Sequence, residues 1–377
     1  MTRTTQKLEK GLPADPVLAL RARELLARVR ALVQAGKWKD AAPLCHDLVR
    51  TAPTLGEGHE LMGIVAMKTG AVEIAAGCFE RAVGAGPASG QRLLLWGQAL
   101  LALGTADKAE QVLLRALAIR PDDPGVLRCL AQAQLDLGRP DAALKSFRRA
   151  LKRRPDDAYS SHMVAALTRS GTPDRTYVAG LFDAYAGTFE EHLTGALQYR
   201  TPQLLADLLR ERGIPRGPAL DIGCGTGLMA ATLAGDVEVI DGIDIAPAMI
   251  EKARARGLYR SLAAGDAIEV LAGDPDFAGP YALVLAADVF VYIGAIDALF
   301  AAIAARLAPA GLLAFSVETA TGPGIEIRSS GRFAHGRAYL ENLAAANGLA
   351  IAAVSEQPLR LELHRQVPGT LYVLGRR

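Results

Sequence analysis

The sequence predicts two folds in tandem, an all-helical array of repeats followed by an α/β domain with a doubly wound parallel sheet. Glycine, alanine and proline recur every 34 residues in the first part of the chain. From residue 217 onward, short β-rich runs alternate with amphipathic helices, and the first of these runs leads into a glycine-rich turn. At 377 residues the chain is also too long for one typical hydrophobic core, so two domains are expected.

The helical array is predicted from four copies of one pattern. Gly36, Gly70, Gly104 and Gly138 are 34 residues apart, and each is followed five residues later by an alanine and seventeen residues later by a proline. Glycine is expected to end the first helix of each copy in a left-handed conformation. The alanine suits a close helix–helix approach, and proline closes the second helix because it cannot continue it.

This helix–turn–helix pattern resembles the tetratricopeptide repeat. The resemblance implies a superhelix whose concave groove binds a peptide or another protein. The alternative is an array that only rigidifies or dimerises the chain. We expect an N-terminal extension in residues 1–17, four repeats and a capping helix in 18–171, a helical preface or lid in 172–216, and the sheet domain in 217–377.

The segment LDIGCGTGL, residues 220–228, is expected to form a strand-to-helix turn, where a doubly wound sheet binds its ligand. A dinucleotide loop needs glycine or alanine at position 228, where this chain has leucine, and a phosphate-binding P-loop needs a Gly-Lys-Ser/Thr sequence that is absent. Asp221 lies within the turn. A carboxylate there suits an ammonium or sulfonium group and disfavours a pyrophosphate.

Acidic residues also follow the next three predicted strands. Asp244 ends the second strand, Asp266 follows the third and Asp288 follows the fourth. A carboxylate at the end of the second strand can accept hydrogen bonds from both hydroxyls of a ribose, as it does in dinucleotide folds. With a last strand at GTLYVLGRR, this order resembles the class I S-adenosylmethionine-dependent methyltransferases, whose Rossmann-like sheet ends in an antiparallel strand. The resemblance covers about residues 175–377.

The resemblance implies S-adenosylmethionine as the cofactor. Contacts are expected from the glycine loop, the strand ends and the preface, at Asp221, Gly223, Cys224, Gly225, Gly227, Asp244, Ile245, Met249, Asp266, Ala267, Asp288, Tyr185 and Arg200. In this set, Asp266 would meet the adenine amino group and Arg200 the methionine carboxylate. Met249 could pack on adenosine or, equally, in the core between helix and sheet.

The preface, residues 181–209, resembles the one found in methyltransferases that carry tetratricopeptide repeats. Tyr185 and Phe189 within it are candidates to shield the sulfonium, because an aromatic face attracts a cation. Ordinary packing between helices is the equal alternative for both rings.

Methyl transfer from a sulfonium is a direct displacement, so the protein mainly aligns the reactants and excludes water. No metal is needed, and a general base is needed only when the acceptor must lose a proton. The catalytic candidates are His335 after the fifth strand, His192 in the preface and Tyr292 after the fourth strand. Each histidine could instead be an ordinary surface or capping residue.

Composition and short motifs disfavour several other classes. No apolar stretch approaches the roughly 18 residues that span a bilayer, and the first twenty residues lack the apolar region of a secretory signal. The four cysteines are far apart, so neither a zinc site nor a disulfide framework is expected. The basic run RRALKRRP, residues 148–155, lacks interleaved aromatics, which favours a solvated face over nucleic-acid contact. A cytoplasmic protein without membrane or nucleic-acid partners is expected.

The favoured hypothesis is methyl transfer to a protein, peptide or carrier-tethered acceptor that the repeats recruit. A small-molecule methyltransferase whose repeats bind a separate partner is the alternative. A scaffold that binds the cofactor without catalysis is a third possibility. After the fourth strand the sequence is AADVFVY rather than an NPPY-like motif, which disfavours a nucleic-acid base as the acceptor.

Overall fold

The computed structural model describes residues 11–87, 89–168, 175–185, 187, 199–362 and 365–376. The chain divides into two compact units, Met1–Ser160 and Ser161–Arg377. The division falls within the helix that the sequence predicts as a cap for the repeats. No helix of the described residues is long and apolar enough to cross a membrane.

Helices are the regular secondary structure of the first unit's described residues, and from Pro16 to Arg153 each helix packs against the next along the chain. Its helices are α1 (Pro16–Gln34), α2 (Trp38–Thr51), α3 (Gly56–Lys68), α4 (Val72–Gly84), α5 (Gly90–Ala102), α6 (Ala106–Ile119), α7 (Pro124–Asp136) and α8 (Pro140–Arg153), followed by the start of α9 (Ala158–Thr168).

The 34-residue pattern has the structural basis that the sequence predicts. The four repeat glycines follow the ends of α1, α3, α5 and α7, and all have φ between 68° and 83°. The four repeat alanines are fully buried: Ala41, Ala75, Ala109 and Ala143. Each repeat proline comes shortly after the second helix of its pair. The predicted helical repeats are confirmed.

The second unit contains the rest of α9 and a largely parallel sheet covered by helices. Its helices are α10 (Arg175–Tyr185), α11 (Thr201–Arg212), α12 (Leu228–Thr232), α13 (Pro247–Arg256), α14 (Ala267–Gly273), α15 (Asp297–Arg306) and α16 (Arg337–Ala346). Its strands are β1 (Ala219–Ile222), β2 (Ile240–Asp244), β3 (Leu262–Ala264), β4 (Tyr281–Ala286), β5 (Leu307–Thr319), β6 (Ile325–Ile327), β7 (Phe333–His335), β8 (Leu349–Glu362) and β9 (Arg365–Arg376).

The sheet is doubly wound. Strands β3, β2, β1, β4 and β5 are parallel neighbours in that order. Strand β9 pairs antiparallel with β5 and with β8, which confirms the predicted antiparallel last strand. The short β7 pairs in parallel with the end of β5, and β6 pairs antiparallel with β7. The strand order reverses between β1 and β4, so a ligand crevice is expected beside their carboxyl ends.

Alternate residues of the central strands enter two different cores. On β4, Val284 packs with α15 and α16 residues such as Phe300 and Leu340, whereas Leu283 packs with α11 and α12 residues such as Leu205 and Met229. Because successive side chains of a strand point to opposite faces, these two cores show that helices cover both faces of the sheet. Continuous apolar strands are typical of such a sheet.

Candidate active site

A cavity of about 610 Å³ lies at the carboxyl ends of the central strands. Its wall is formed by the ends of β1 and β2, the glycine loop, the segments after β3 and after β4, and parts of α10, of α15, of the turn before β7 and of β8. The cofactor candidates on this wall are Asp221, Gly223, Cys224, Gly225, Asp244, Ile245, Asp266, Ala267 and Asp288.

The glycine loop connects β1 to α12 in a backbone conformation that favours glycine. Gly223, Gly225 and Gly227 have φ of 64°, 55° and 89°. A Cβ atom at Gly223 would also lie 2.4 Å from the side chain of Val289. The Cys224 amide donates to the Ile243 carbonyl at 3.0 Å, which fixes the loop to the end of β2.

Asp221 is a buried carboxyl beneath this loop. Its pKa is raised to about 7: burial is the main cause, a hydrogen bond from Tyr259 opposes the rise, and nearby Asp244 adds to it. The Tyr259 hydroxyl donates to Asp221 Oδ2 at 2.7 Å. A buried carboxyl of this kind gains stability as an anion when a positive group approaches it.

Asp244 is held at the end of β2 by backbone amides. Its Oδ2 accepts from the Gly225 amide at 2.8 Å, and its Oδ1 accepts from the Ala246 amide at 2.9 Å. Burial raises the pKa of this carboxyl, and the backbone hydrogen bonds oppose that rise. The two oxygens of a carboxylate offer about four lone-pair sites, so Asp244 can accept a further hydrogen bond beside those from the backbone amides.

Asp266 has a structural role as well as a place on the wall. Its Oδ1 accepts from the Ile268 amide at 2.9 Å and from the Glu269 amide at 3.3 Å, and so caps α14. An N-cap of this type stabilises a helix by about 1 kcal/mol.

Asp288 belongs to a polar network that reaches the cavity wall. It has φ of 56°, which is uncommon for a residue other than glycine. Its amide donates to Ser316 Oγ at 2.8 Å, and that hydroxyl donates back to Asp288 Oδ1 at 2.9 Å. Arg360, from β8, contacts Asp288 Oδ2 at 3.4 Å and forms a buried ion pair with Glu318.

Arg360 is a cavity residue that the sequence analysis missed. Its side chain is only 3% exposed. Burial alone would lower the pKa of its guanidinium, but Asp288 and Glu318 outweigh that effect and raise it. Position 360 follows Asp288 by more than seventy residues along the chain, and nothing in the sequence LRLE shows that the arginine would point inward.

Aromatic and basic side chains form another part of the wall. The rings of Phe182 and Tyr292 meet edge to face with centroids 5.0 Å apart. The Arg332 guanidinium lies over the Tyr292 ring at 5.7 Å, and its Nε donates to the Tyr292 hydroxyl at 3.3 Å. Tyr199 also lines the cavity, and burial raises the pKa of its phenol well above its ordinary value. Of the catalytic candidates, Tyr292 is therefore on the cavity wall.

His335 is not on that wall. It is 1% exposed, and its Nε2 donates to the Gly294 carbonyl at 2.8 Å. Its ring stacks on Tyr339 at 5.9 Å, and burial lowers its pKa. β7 turns the side chain into the protein, where it bonds to the segment after β4, and its role as a catalytic residue stays a prediction.

Other cofactor candidates also lie away from the described cavity wall. Met249 is fully buried and packs against Ala246 and, on α10, Phe182. Arg200 is exposed and precedes α11. Gly227 faces Arg256 and Tyr259 rather than the cavity. Tyr185 ends α10, but its side chain lies outside the described part of the structure, as do His192 and Phe189.

The expectation that the protein needs no metal stays a prediction. Among the described residues, no three histidine, cysteine or acidic side chains are grouped so that they could hold a metal ion. The four cysteines are buried and free.

Comparisons with known proteins match both units. Residues 220–313 match a family model described as a methyltransferase domain, and residues 61–124 and 100–167 match models of the tetratricopeptide repeat. Methyltransferase-like protein 27 of Homo sapiens is 37% identical over 97 residues, which cover 24% of this chain and 39% of the relative.

Two further proteins are similar to this chain. The malonyl-(acyl-carrier protein) O-methyltransferase of Geobacter sulfurreducens is 30% identical over 149 residues, covering 38% of this chain and 54% of the relative. The solved magnesium protoporphyrin IX methyltransferase of Synechocystis with bound SAH is 19% identical, with a TM-score of 0.42, over 54% of this chain and all of that one.

The chain therefore spans about half or less of the two curated relatives described here. The methyltransferase match begins at Leu220, so it includes the whole glycine loop and the acidic strand ends that line the cavity. The chain therefore contains tetratricopeptide repeats within residues 61–167 and a methyltransferase domain that includes residues 220–313.

Proposed function

We propose that this chain transfers a methyl group from S-adenosylmethionine to an acceptor that its repeats recruit, namely a protein, a peptide or a carrier-tethered group. The observation that supports it most is the convergence of the glycine loop with the buried Asp221 and Asp244 on one cavity. The repeats supply a second, separate surface for a partner.

The residues of the cavity fit a cationic nucleoside. Burial raises the pKa of both the Asp221 and the Asp244 carboxyl, and a positive ligand group near them would offset that cost. An ammonium or sulfonium group meets this requirement, whereas a pyrophosphate would be repelled. When bound, the cofactor supplies a methyl group that is attached to a sulfonium, and the sulfur becomes a neutral thioether once the methyl group has been transferred.

Each part of the cavity wall has a proposed role in holding the cofactor. Asp244, whose oxygens are already oriented by two backbone amides, would accept the ribose hydroxyls. Asp266 and Ala267, at the start of α14, would border the adenine. Asp221 and the loop from Gly223 to Gly225 would receive the methionine portion.

The remaining polar groups on the wall are assigned to the acceptor. Tyr292, Arg332 and Tyr199 line the cavity beside the apolar surface of α10. The Phe182–Tyr292 contact would exclude water from the reacting groups. Among the catalytic candidates whose side chains the structure describes, Tyr292 is the one on the cavity wall, where it could contact the acceptor. Its hydroxyl accepts a hydrogen bond from Arg332 Nε.

A small-molecule acceptor is the second candidate function. The cavity volume of about 610 Å³ lies within the range of small-ligand sites. In that case the repeats would bind a partner that is not methylated. A scaffold that binds the cofactor without transferring the methyl group is the third possibility.

One labelling experiment distinguishes these functions. The full chain is incubated with methyl-labelled S-adenosylmethionine and a lysate of its source cells, and labelled macromolecules are then separated from small molecules. Label on protein or carrier fractions supports the proposal, label confined to small molecules supports the alternative, and cofactor binding without label supports the scaffold. Asp244→Ala serves as the control, and at a subsaturating cofactor concentration it should transfer much less label than the wild type.

A further inference from the structure

Tyr259 lies behind the glycine loop, in the segment between α13 and β3. Its hydroxyl donates to Asp221 Oδ2 at 2.7 Å. Its ring fills the space left by two glycines, since a Cβ atom at Gly227 would lie 3.1 Å from the ring and one at Gly242 would lie 2.8 Å from it. The ring therefore packs against both the loop and β2.

Arg256, at the end of α13, supports the same side of the loop. Its Nε donates to the Thr226 carbonyl at 2.5 Å. A Cβ atom at Gly227 would lie 3.0 Å from Arg256 Cδ. The third glycine thus makes room for Arg256 and Tyr259, and side chains from one segment hold the loop both by packing and by hydrogen bonds.

The hydroxyl of Tyr259 acts on a carboxyl that burial would otherwise neutralise. The pKa of Asp221 is raised to about 7, mainly by burial, and this value already includes the opposing effect of the Tyr259 hydrogen bond, which lowers it. Burial also raises the pKa of Tyr259 far above its ordinary value, and Asp221 adds to that rise, so Tyr259 remains a donor.

The other titratable and charged groups at this position do not replace that hydrogen bond. Asp244, at the end of β2, raises the Asp221 pKa. Cys224, in the loop, has its own thiol pKa raised well above the ordinary value, first by burial and then by Asp221 and Asp244. Arg256 lies behind the ring, where it acts on Tyr259.

We propose that Tyr259 is a positioning residue for the cofactor: its hydroxyl holds Asp221 as the carboxylate that a positive ligand group requires, while its ring sets the position of the glycine loop. This inference rests on the proposed function, because it assigns Asp221 to the methionine portion of S-adenosylmethionine.

The test measures the affinity for S-adenosylhomocysteine by calorimetry between about pH 5.5 and 8.5, in the full chain and in Tyr259→Phe. Phenylalanine keeps the ring but removes the donor, so the titration midpoint of Asp221 should rise. If the midpoint rises by about one pH unit, the variant binds roughly tenfold more weakly near pH 6 and approaches the wild type near pH 8.5. Because both proteins are titrated with the same ligand, the ionisation of the ligand cancels when the affinity of the variant is divided by that of the wild type at each pH.

Tyr281→Phe is the matched control. The Tyr281 hydroxyl also donates to a buried aspartate, Asp241, at 3.1 Å, but neither residue is on the cavity wall. This variant should lose thermal stability without changing the pH profile of binding.

The outcomes separate this inference from the proposed function. If the wild type does not bind S-adenosylhomocysteine at any pH, the proposed function fails. If the wild type binds and Tyr259→Phe has the same affinity, or is weakened equally at every pH, the role of the hydroxyl is refuted.

Asp221→Asn provides a second measurement if Tyr259→Phe does not fold. Asparagine cannot ionise, so its binding should be weak and nearly independent of pH over this range. A pH profile in Asp221→Asn that matches the wild type would overturn the inference.

Discussion

Asp244 combines a structural and a ligand-binding role in one side chain. Asp244→Ala removes the acceptor for two backbone amides and, on our proposal, for the ribose hydroxyls. Hydrogen bonds to charged groups contribute roughly 1.5–3 kcal/mol each, so we expect at least a tenfold loss of cofactor affinity. Calorimetric titration of S-adenosylhomocysteine measures it.

The control for Asp244 is Asp236→Ala. Asp236 is an exposed carboxylate that pairs with Arg210 at 2.8 Å, and its loss should leave affinity unchanged. A folded Asp244→Ala protein with wild-type affinity would contradict the ribose assignment.

His335 is expected to matter for stability more than for catalysis. His335→Gln disturbs a buried hydrogen bond to Gly294, and such a loss costs about 1–3 kcal/mol of the free energy of unfolding. Because burial lowers the folded-state pKa of His335 from 6.5, the unfolded chain takes up a proton first as the pH falls. The stabilising contribution is therefore complete above pH 6.5 and is lost below it.

Urea unfolding of wild type and His335→Gln at several pH values tests this account. The difference between the two proteins should be largest above pH 6.5 and should shrink as the solution becomes more acidic. A loss of turnover by roughly 10²-fold or more, with stability unchanged, would restore His335 as a general base.

At the scale of elements, the antiparallel β8–β9 pair completes the site by carrying Arg360 to Asp288 and Glu318. Arg360→Gln leaves two acidic groups without their buried partner. Removing one member of a buried ion pair typically costs about 3–5 kcal/mol, so we expect a destabilisation of that order in urea.

Two variants check that the cost arises from the buried charges. Arg360→Met combined with Glu318→Gln removes one charge of each sign and should recover much of the lost stability. Arg210→Gln breaks the exposed pair with Asp236 and should cost no more than about 1 kcal/mol. Equal effects of Arg360→Gln and Arg210→Gln would refute the argument.

The elements themselves could be predicted because their signals are local. The repeat glycines lie at positive φ after their helices, and Asp244 ends β2 as its sequence position indicates. Tyr259 and Arg360 could not be predicted in the same way. Their partners, Asp221 and Glu318, are 38 and 42 residues distant, and a single tyrosine or arginine in a segment has no periodicity. The burial of His335 could not be predicted either, because a position in the sequence after a strand does not determine which way a side chain points.

At the scale of the whole molecule, the chain divides into two compact units after Ser160. This boundary determines where a truncated chain that retains the whole second unit must begin. His162, within the second unit, donates from Nε2 to the Gly331 carbonyl at 2.9 Å and stacks on Tyr177 at 4.5 Å. Tyr177 lines the cavity, as does Arg332 beside Gly331. Through His162, the last turns of α9 therefore contact residues that lie on or next to the cavity wall.

A chain that begins at Ala158 should therefore bind S-adenosylhomocysteine about as well as the full chain, because it retains His162. It should lose activity on a large acceptor, since the proposed recruiting repeats are gone. A chain that begins near residue 173 lacks His162 and should have a lower melting temperature and weaker cofactor binding. Calorimetry and thermal unfolding of both truncated chains provide the comparison, and full-length His162→Ala separates loss of this side chain from loss of the helix. Equal stability and affinity in the two truncated chains would show that α9 does not support the cavity.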